Sequence, residues 1–131
     1  MRIDYGYLKE FLDVFLDSEK ATVTWNDFKH LRENEENFIF HFEILIDKQF
    51  IATSLSNHSY GVRGLSDNYL VDLKPWRLTS DGHDFSCALN DPGLILKINN
   101  RIKKEGISAV IDISKKVLTK RAEKIFDEID L

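Results

Sequence analysis

The sequence predicts a single α+β domain, and three observations carry this prediction. The chain has 131 residues, which is a common length for one domain, and its shares of 43% hydrophobic and 31% charged residues are those of an ordinary globular protein. Helical periodicity dominates both ends, whereas β-branched and aromatic residues with a polar loop occupy the middle. The predicted order of helix, strand, helix, helix, strand and strand is typical of a winged helix-turn-helix, here with two additional C-terminal helices.

The first third of the chain predicts a helix, a short strand and a second short helix. In residues 4–17 the apolar side chains recur at helical spacing, with charged residues on the opposite side. Residues 21–25 are β-branched and alternate, which favours a strand. Asn26 is then expected to cap a short helix that carries Phe28 and Leu31.

Residues 34–49 fit two patterns, since their apolar residues alternate like a strand and also line one face of a helix. Asn34 is a good helix cap, and Glu35 and Glu36 follow it where the helix dipole favours acids, so we predict a third helix over residues 35–48. Its buried face is expected to hold Phe38, Ile39, Phe42, Leu45 and Ile46. Its outward face is expected to hold Glu36, Asn37, Phe40, His41, Ile44, Asp47 and Lys48.

The rest of the chain predicts a hairpin and then further helices. Residues 50–55 and 69–78 are expected to pair around a long polar tip at residues 56–68. Thr79 can cap a helix that runs to Leu89, Asp91 and Pro92 begin another that Gly106 ends, and a last helix covers residues 108–129. We expect residues 1–91 to form the winged-helix part. Residues 92–131 are expected to form a helical extension that packs on it or dimerises, within one domain overall.

Two segments resemble a known family. Residues 41–51 read His-Phe-Glu-Ile-Leu-Ile-Asp-Lys-Gln-Phe-Ile, and residues 77–85 match the pattern Arg-Leu-Thr-x-x-Gly-His-x-Phe. They resemble a family of small winged-helix proteins of unknown function that is common in bacteria, prophages and mobile elements. The resemblance implies a fold and a phage or mobile-element context, but no activity. The chain departs from expectation at Gln49, where a glycine in left-handed conformation would end the third helix.

The composition also bears on location. Cys87 is the single cysteine, so an internal disulfide cannot form, and the N-terminus lacks the basic start and the uninterrupted apolar stretch of a signal peptide. No apolar run approaches the roughly 20 residues that cross a bilayer. We therefore expect a cytoplasmic protein that does not contact membranes.

Charge is distributed unevenly along the chain. Residues 1–96 contain 9 basic and 16 acidic side chains, a balance of −7, whereas residues 97–131 contain 9 and 6, a balance of +3. If nucleic acid binds, the expected phosphate contacts are in the last helix, with Arg63 in the hairpin loop as a wing contact. These helical residues are Lys115, Lys116, Lys120, Arg121 and Lys124. A solvated helix face is the alternative interpretation.

Two apolar patterns indicate protein contacts. On the outward face of the third helix, Phe40 and Ile44 lie among acids that include Glu36 and Asp47, which disfavours a DNA groove and suits a protein partner. In the last helix a narrow seam recurs at spacings of 7, 4, 3 and 4 residues. The seam consists of Ile111, Leu118, Ala122, Ile125 and Ile129. Leu118 and Ile125 are its main interface candidates, and its partner is either Leu94, Ile98 and Ile102 of the same chain or a second copy in a homodimer.

Catalytic signatures are weak. His83 and Cys87 are four residues apart, but a zinc site needs four ligands, and His30, His41 and His58 show no matching spacing. The sequence also lacks a phosphate-binding glycine-rich loop, a nucleophile elbow and a zinc-protease helix. We expect no catalytic residue, metal, cofactor or small-molecule substrate. Two hypotheses remain open: a regulator of phage or mobile-element origin that binds nucleic acid, and a protein-interaction module of host-conflict or anti-defence type.

Overall fold

A computed structural model describes residues 1–53, 62–63, 70–71, 74–102 and 104–129, and in them the chain is an α+β protein dominated by helices. Its helices are α1 (Tyr5–Asp17), a 3-10 helix (Trp25–Leu31), α2 (Glu35–Asp47), α3 (Ser80–Leu89), α4 (Pro92–Lys97) and α5 (Ile107–Glu128). Its strands are β1 (Ile51–Thr53), β2 (Val62–Arg63), β3 (Leu70–Val71) and β4 (Trp76–Leu78). The ambiguous stretch after Asn34 is therefore a helix, as its cap and first-turn acids indicate.

Short polar side chains fix where most helices begin. Asn34 accepts a hydrogen bond from the Asn37 N–H at 3.1 Å, and Asp91 accepts one from the Gly93 N–H at 2.9 Å, which confirms two of the predicted caps. The prediction for Asn26 is wrong. The 3-10 helix begins after Thr24, whose N–H donates to the carboxylate of Asp27 at 2.8 Å.

The sheet centres on β4. It pairs antiparallel with β1, with Ile51 opposite Leu78 and Thr53 opposite Trp76. On its other side Trp76 exchanges two backbone hydrogen bonds with Val23, at 2.7 and 2.8 Å. The predicted strand at residues 21–25 is thus reduced to a single bridging residue.

A second antiparallel pair joins β2 and β3, with Val62 opposite Val71 and Arg63 opposite Leu70. The sequence prediction placed Val62 and Arg63 in a polar tip without strands, and this is wrong for these two residues. Their backbones pair across the hairpin. The remainder of the predicted tip lies outside the described residues.

An aromatic cluster forms the centre of the core. α1, the 3-10 helix and α2 each contribute rings, and the ring centroids of Phe11 and Phe28 are 4.7 Å apart, those of Trp25 and Phe42 4.6 Å. Such tilted ring pairs stabilise the fold by more than the burial of their apolar area alone. The predicted buried face of α2 is confirmed at Phe38, Ile39, Phe42 and Leu45, while Ile46 is half-buried.

The end of α2 turns sharply into β1. Gln49 has φ 58°, in the left-handed region, at the position where the sequence analysis expected a glycine. The Gln49 N–H donates to the carbonyl of Ile46 and the Phe50 N–H to that of Leu45, both at 2.9 Å. These two bonds form a Schellman motif, which ends the helix and directs the chain towards β4.

The start of helix α3 packs against this turn and is hydrogen-bonded to it. The Thr79 hydroxyl accepts from the Gly82 N–H at 3.1 Å, which confirms its predicted capping role, and it donates to the carbonyl of Gln49 at 2.6 Å. A Cβ atom on Gly82 would lie 1.9 Å from the carbonyl oxygen of Phe50. Thr79 and Gly82 in the Arg-Leu-Thr-x-x-Gly-His-x-Phe segment therefore have structural roles, as does Phe85, whose ring stacks on that of Phe50 at 4.8 Å.

The C-terminal helices pack on this body only in part. α4 continues into a π-helical turn, Ile98–Ile102, and Gly106 begins α5 rather than ending the preceding helix, which corrects the sequence prediction. The first half of α5 lies along α3 and buries Val110 and Ser114. From residue 119 to residue 129 every side chain is exposed. α5 thus extends past the core by about half of its length.

Candidate nucleic-acid and protein interfaces

The predicted phosphate contacts of α5 lie on an exposed segment. Lys115, Lys116, Lys120, Arg121 and Lys124 are all exposed, and within the described part of the chain none of them lies in an ion pair. Lys116, Lys120 and Lys124 follow one another at four-residue steps, so they form a ridge along one face, each about 6 Å from the next along the axis. We call these three residues the lysine ridge.

Arg63 is the remaining predicted nucleic-acid contact. Its backbone lies in β2 opposite Leu70, whereas its side chain lies outside the described residues. The structure therefore groups the five cations of α5 on one helix, and it gives no position for the Arg63 guanidinium.

α5 is also polarised in charge. Residues 115–121 contain four cations and no acid, whereas residues 122–129 contain Lys124 against three acids, Glu123, Asp127 and Glu128. A ligand with a single sign of charge would be attracted to one half of this exposed segment and repelled by the other. The basic half is the part that can meet phosphate.

The outward face of α2 differs from the prediction at one position. Glu36 and Asp47 are exposed and Phe40 and Ile44 are half-buried, but His41 is fully buried instead of facing outward. Its ring turns inward because the residue that precedes α1 offers a hydrogen-bond partner that the pattern of α2 alone does not reveal.

That partner is the backbone of Asp4. The Asp4 N–H donates to Nε2 of His41 at 2.9 Å, and Nδ1 of His41 lies 2.8 Å from the carbonyl oxygen of Asn37. Because a backbone N–H can only donate, Nε2 must be the acceptor and Nδ1 must carry the proton, which makes the ring neutral. Burial lowers the pKa of His41, and the bond to Asn37 and the charge of Asp4 oppose this shift only in part.

Tyr7 completes this contact between α1 and α2. Its ring centroid lies 4.7 Å from that of His41, and its hydroxyl donates to the carbonyl of Leu31 at 2.7 Å. Burial, together with the negative charge of Glu10, raises the pKa of Tyr7 to about 12. His41 and Tyr7 therefore stabilise the contact between α1 and α2, and His41 is not available at the surface.

The seam of α5 divides into two parts. Ile111 and Leu118 are half-buried and pack against the core, whose buried members include Leu94 and Ile98. In contrast, Ile125 is 55% exposed and Ile129 50% exposed. The sequence analysis also missed Phe126, which is 63% exposed beside them. The chain's own helices are thus the partner of the first part of the seam only.

An open groove of about 550 Å³ lies where the first half of α5 meets α3 and the end of α2. Apolar side chains and charges of both signs line it. The apolar lining is Phe50, Phe85, Ile111 and Leu118, and the charged lining is Asp81, Asp84, Asp112, Lys48 and Lys115. The groove therefore continues the seam of α5 onto the body.

His83 and Cys87 lie close together on one face of α3. Nδ1 of His83 lies 3.6 Å from Sγ of the half-buried Cys87. Among the described residues, histidines, cysteines and acids do not form any group of three or more that could hold a metal ion.

Over the described residues, every helix is too short or too polar to cross a membrane. Comparisons of the chain with protein-family models, with curated proteins and with solved structures found no match.

Proposed function

We propose that this chain is a non-catalytic winged-helix protein of the cytoplasm that binds nucleic acid through α5 and acts as a regulator in a phage or mobile element. The observation that carries the proposal is the set of five exposed cations between Lys115 and Lys124, none of them in an ion pair within the described residues. Cations of this kind release counterions when they meet phosphate, which is the main driving force of non-specific binding.

The element order supports the winged-helix part of the proposal. α1, the bridge at Val23, the 3-10 helix, α2 and the β1–β4 pair follow one another as in that fold. Val23 supplies a third position beside the antiparallel pair of β1 and β4. The resemblance in residues 41–51 and 77–85 supports the same assignment and the mobile-element context.

The charge of α2 argues for contact through α5. Glu35, Glu36 and Asp47 are exposed on α2, and acids on a helix oppose its entry into a DNA groove. Phosphate contacts position a protein on a duplex but do not read its sequence. We therefore expect α5 to supply a salt-sensitive affinity with little preference for sequence.

The number of phosphate contacts determines how strongly the affinity for DNA falls with salt. Each phosphate contact contributes a slope of about −0.9 to the logarithm of affinity against the logarithm of salt concentration. With three to five contacts, affinity should fall roughly 40- to 500-fold between about 50 and 200 mM salt.

The test compares two double variants with the same change in charge. Lys116→Glu with Lys120→Glu reverses part of the lysine ridge, whereas Lys20→Glu with Lys29→Glu reverses two exposed lysines elsewhere. We expect fluorescence anisotropy on random duplex DNA at low salt to show binding for the wild type and the control, and loss of binding for the ridge variant. Equal binding by both variants, or no binding by the wild type, would contradict the proposal.

One observation favours a second function, a protein-interaction module of host-conflict or anti-defence type. Phe40 and Ile44 are half-buried on α2, and the exposed acids Glu36 and Asp47 lie on the same helix. Apolar side chains surrounded by charge are typical of interfaces. Under this function, Phe40→Ala should release a protein that the wild type retains from a host lysate, and the ridge variant should still retain it.

A further inference from the structure

The exposed end of α5 carries an apolar stripe. Ala122, Ile125 and Ile129 recur at spacings of 3 and 4 residues, so they lie on one face of the helix, and Phe126 lies beside them. The three large side chains are 50–63% exposed. Single exposed apolar residues are common on proteins, but a contiguous group on a helix that extends from the body marks an interface.

The stripe continues a surface that already has a partner. Ile111 and Leu118 extend the same seam towards the body, where they pack against the core and line the groove beside α3. A seam with spacings of 7, 4, 3 and 4 residues follows the heptad pattern of helices that pair along their length. In its second part Ile125 borders an open groove beside Asn90 and Pro92, yet Ile125, Phe126 and Ile129 stay 50–63% exposed. A helix from another molecule would cover them.

Two charges that flank the stripe specify the orientation of that molecule. At 100° per residue Arg121 and Glu128 lie on the same edge of the stripe, whereas the other charges of residues 116–128 lie towards the far side of α5. A second α5 in antiparallel orientation places Arg121 beside Glu128 of the second copy, and a parallel one does not. We propose that a second copy of this chain docks on the stripe, with the two α5 helices antiparallel about a two-fold axis.

The heptad pattern sets the register of this pair. In an antiparallel arrangement that packs Ala122 against Ile125 of the second copy, Leu118 packs against Ile129 of the second copy. Arg121 then lies within about one helical turn of Glu128 of the second copy. Along their own helix, Arg121 and Glu128 are seven residues apart, a rise of about 10 Å, which is too far for a direct pair.

This docking does not depend on the proposed nucleic-acid function. At 100° per residue, the lysine ridge lies on the side of α5 opposite the stripe, so pairing leaves it exposed. The contact between two short helical segments is at the small end for specific interfaces, and we expect a dissociation constant on the order of micromolar. The tests below use no nucleic acid, so the two proposals can fail separately.

The first experiment is sedimentation equilibrium of the full chain from micromolar to submillimolar concentration. We expect a monomer–dimer equilibrium in the wild type and a monomer throughout for Ile125→Asp. The matched control is Leu96→Asp, which places the same charge on an α4 side chain that is 62% exposed. It should dimerise like the wild type, and circular dichroism should show the same helix content in all three. A wild-type monomer at every concentration, or a dimer of Ile125→Asp, would overturn the proposal.

The second experiment tests the orientation. Arg121→Glu and Glu128→Arg each turn two attractive contacts per dimer into repulsive ones, so each should weaken dimerisation about tenfold. The double variant exchanges the charges and should restore the affinity of the wild type. In a parallel pair, Arg121 would face Phe126 of the second copy, and the single variants would have no such effect. Failure of the double variant to restore dimerisation would exclude the antiparallel arrangement.

Discussion

His41 links the start of α1 to α2 through one hydrogen bond and makes a second one within α2, and together the two bonds require a neutral ring. Nε2 accepts from the Asp4 N–H, so protonation at that atom would replace an acceptor with a donor that faces another donor. The side chain is fully buried, and burial also disfavours the charged form. The consequence is a link between protonation of one residue and stability of the whole fold.

We expect the free energy of unfolding to fall as the pH drops below 6.5, the ordinary pKa of histidine. In that range the unfolded chain binds a proton at His41 and the folded chain does not, so stability rises with pH up to about 6.5 and then loses this dependence. Urea unfolding at about pH 7 and pH 5.5 measures the difference. It should be smaller in His41→Gln, whose amide oxygen can still accept from Asp4, and unchanged in the control His30→Gln. A wild type whose stability does not change between these two pH values would contradict the expectation.

At the scale of the element, the junction of α2, β1 and α3 depends on two positions with opposite requirements. Gln49 occupies a left-handed conformation that favours glycine, whereas Gly82 occupies a site where only glycine avoids the carbonyl of Phe50. The first position is mildly strained, and the second allows α3 to approach the end of α2. Thr79 ties the two positions together, because its hydroxyl donates to the carbonyl of Gln49 and its N–H to that of Phe50.

Glycine should therefore stabilise the fold at one of these positions and be indispensable at the other. Gln49→Gly should raise the free energy of unfolding by about 1 kcal/mol and Tm by about 4 °C. Gly82→Ala should lower the free energy of unfolding by roughly 3 kcal/mol, because the new methyl group displaces α3 from Phe50. Thermal and urea unfolding measure both, and a stabilising Gly82→Ala would contradict the packing described here.

For the whole molecule, stability and binding are assigned to different parts. The core is formed by α1, the 3-10 helix, α2, α3, α4 and the first half of α5, whereas residues 119–129 are exposed. A helical segment whose side chains are all exposed contributes little to folding, since helical stability in proteins comes mainly from packing. The second half of α5 is thus free to serve as a contact surface.

Truncation after Leu118 tests this division. At a concentration low enough to keep the chain monomeric, we expect the free energy of unfolding to change by no more than about 0.5 kcal/mol. Leu94→Ala, a deletion in the buried core, should cost about 2–5 kcal/mol in the same urea titration. A truncated chain that loses as much stability as Leu94→Ala would show that residues 119–131 pack on the body.

The sequence predicted some features of the candidate surfaces and not others. The five cations of α5 are exposed as predicted, because lysine and arginine side chains are almost never buried unless they are paired. The sequence did not indicate that His41 turns inward, since its partner Asp4 lies 37 residues away, at the start of another helix. Nor did it indicate that Phe126 is exposed beside the seam, because that depends on where the body ends.

The sequence by itself determined where most helices begin and which faces of α1 and α2 are apolar. Caps such as Asn34, Thr79 and Asp91 act on backbone groups within a few residues, so their effect is contained in the local sequence. Only the tertiary structure decided that the strand at Val23 shrinks to one bridge to Trp76, that Gln49 adopts a left-handed conformation, and that α5 is half packed and half exposed. The physical reason is that pairing, strain and burial depend on residues distant in the chain, whereas capping and periodicity do not.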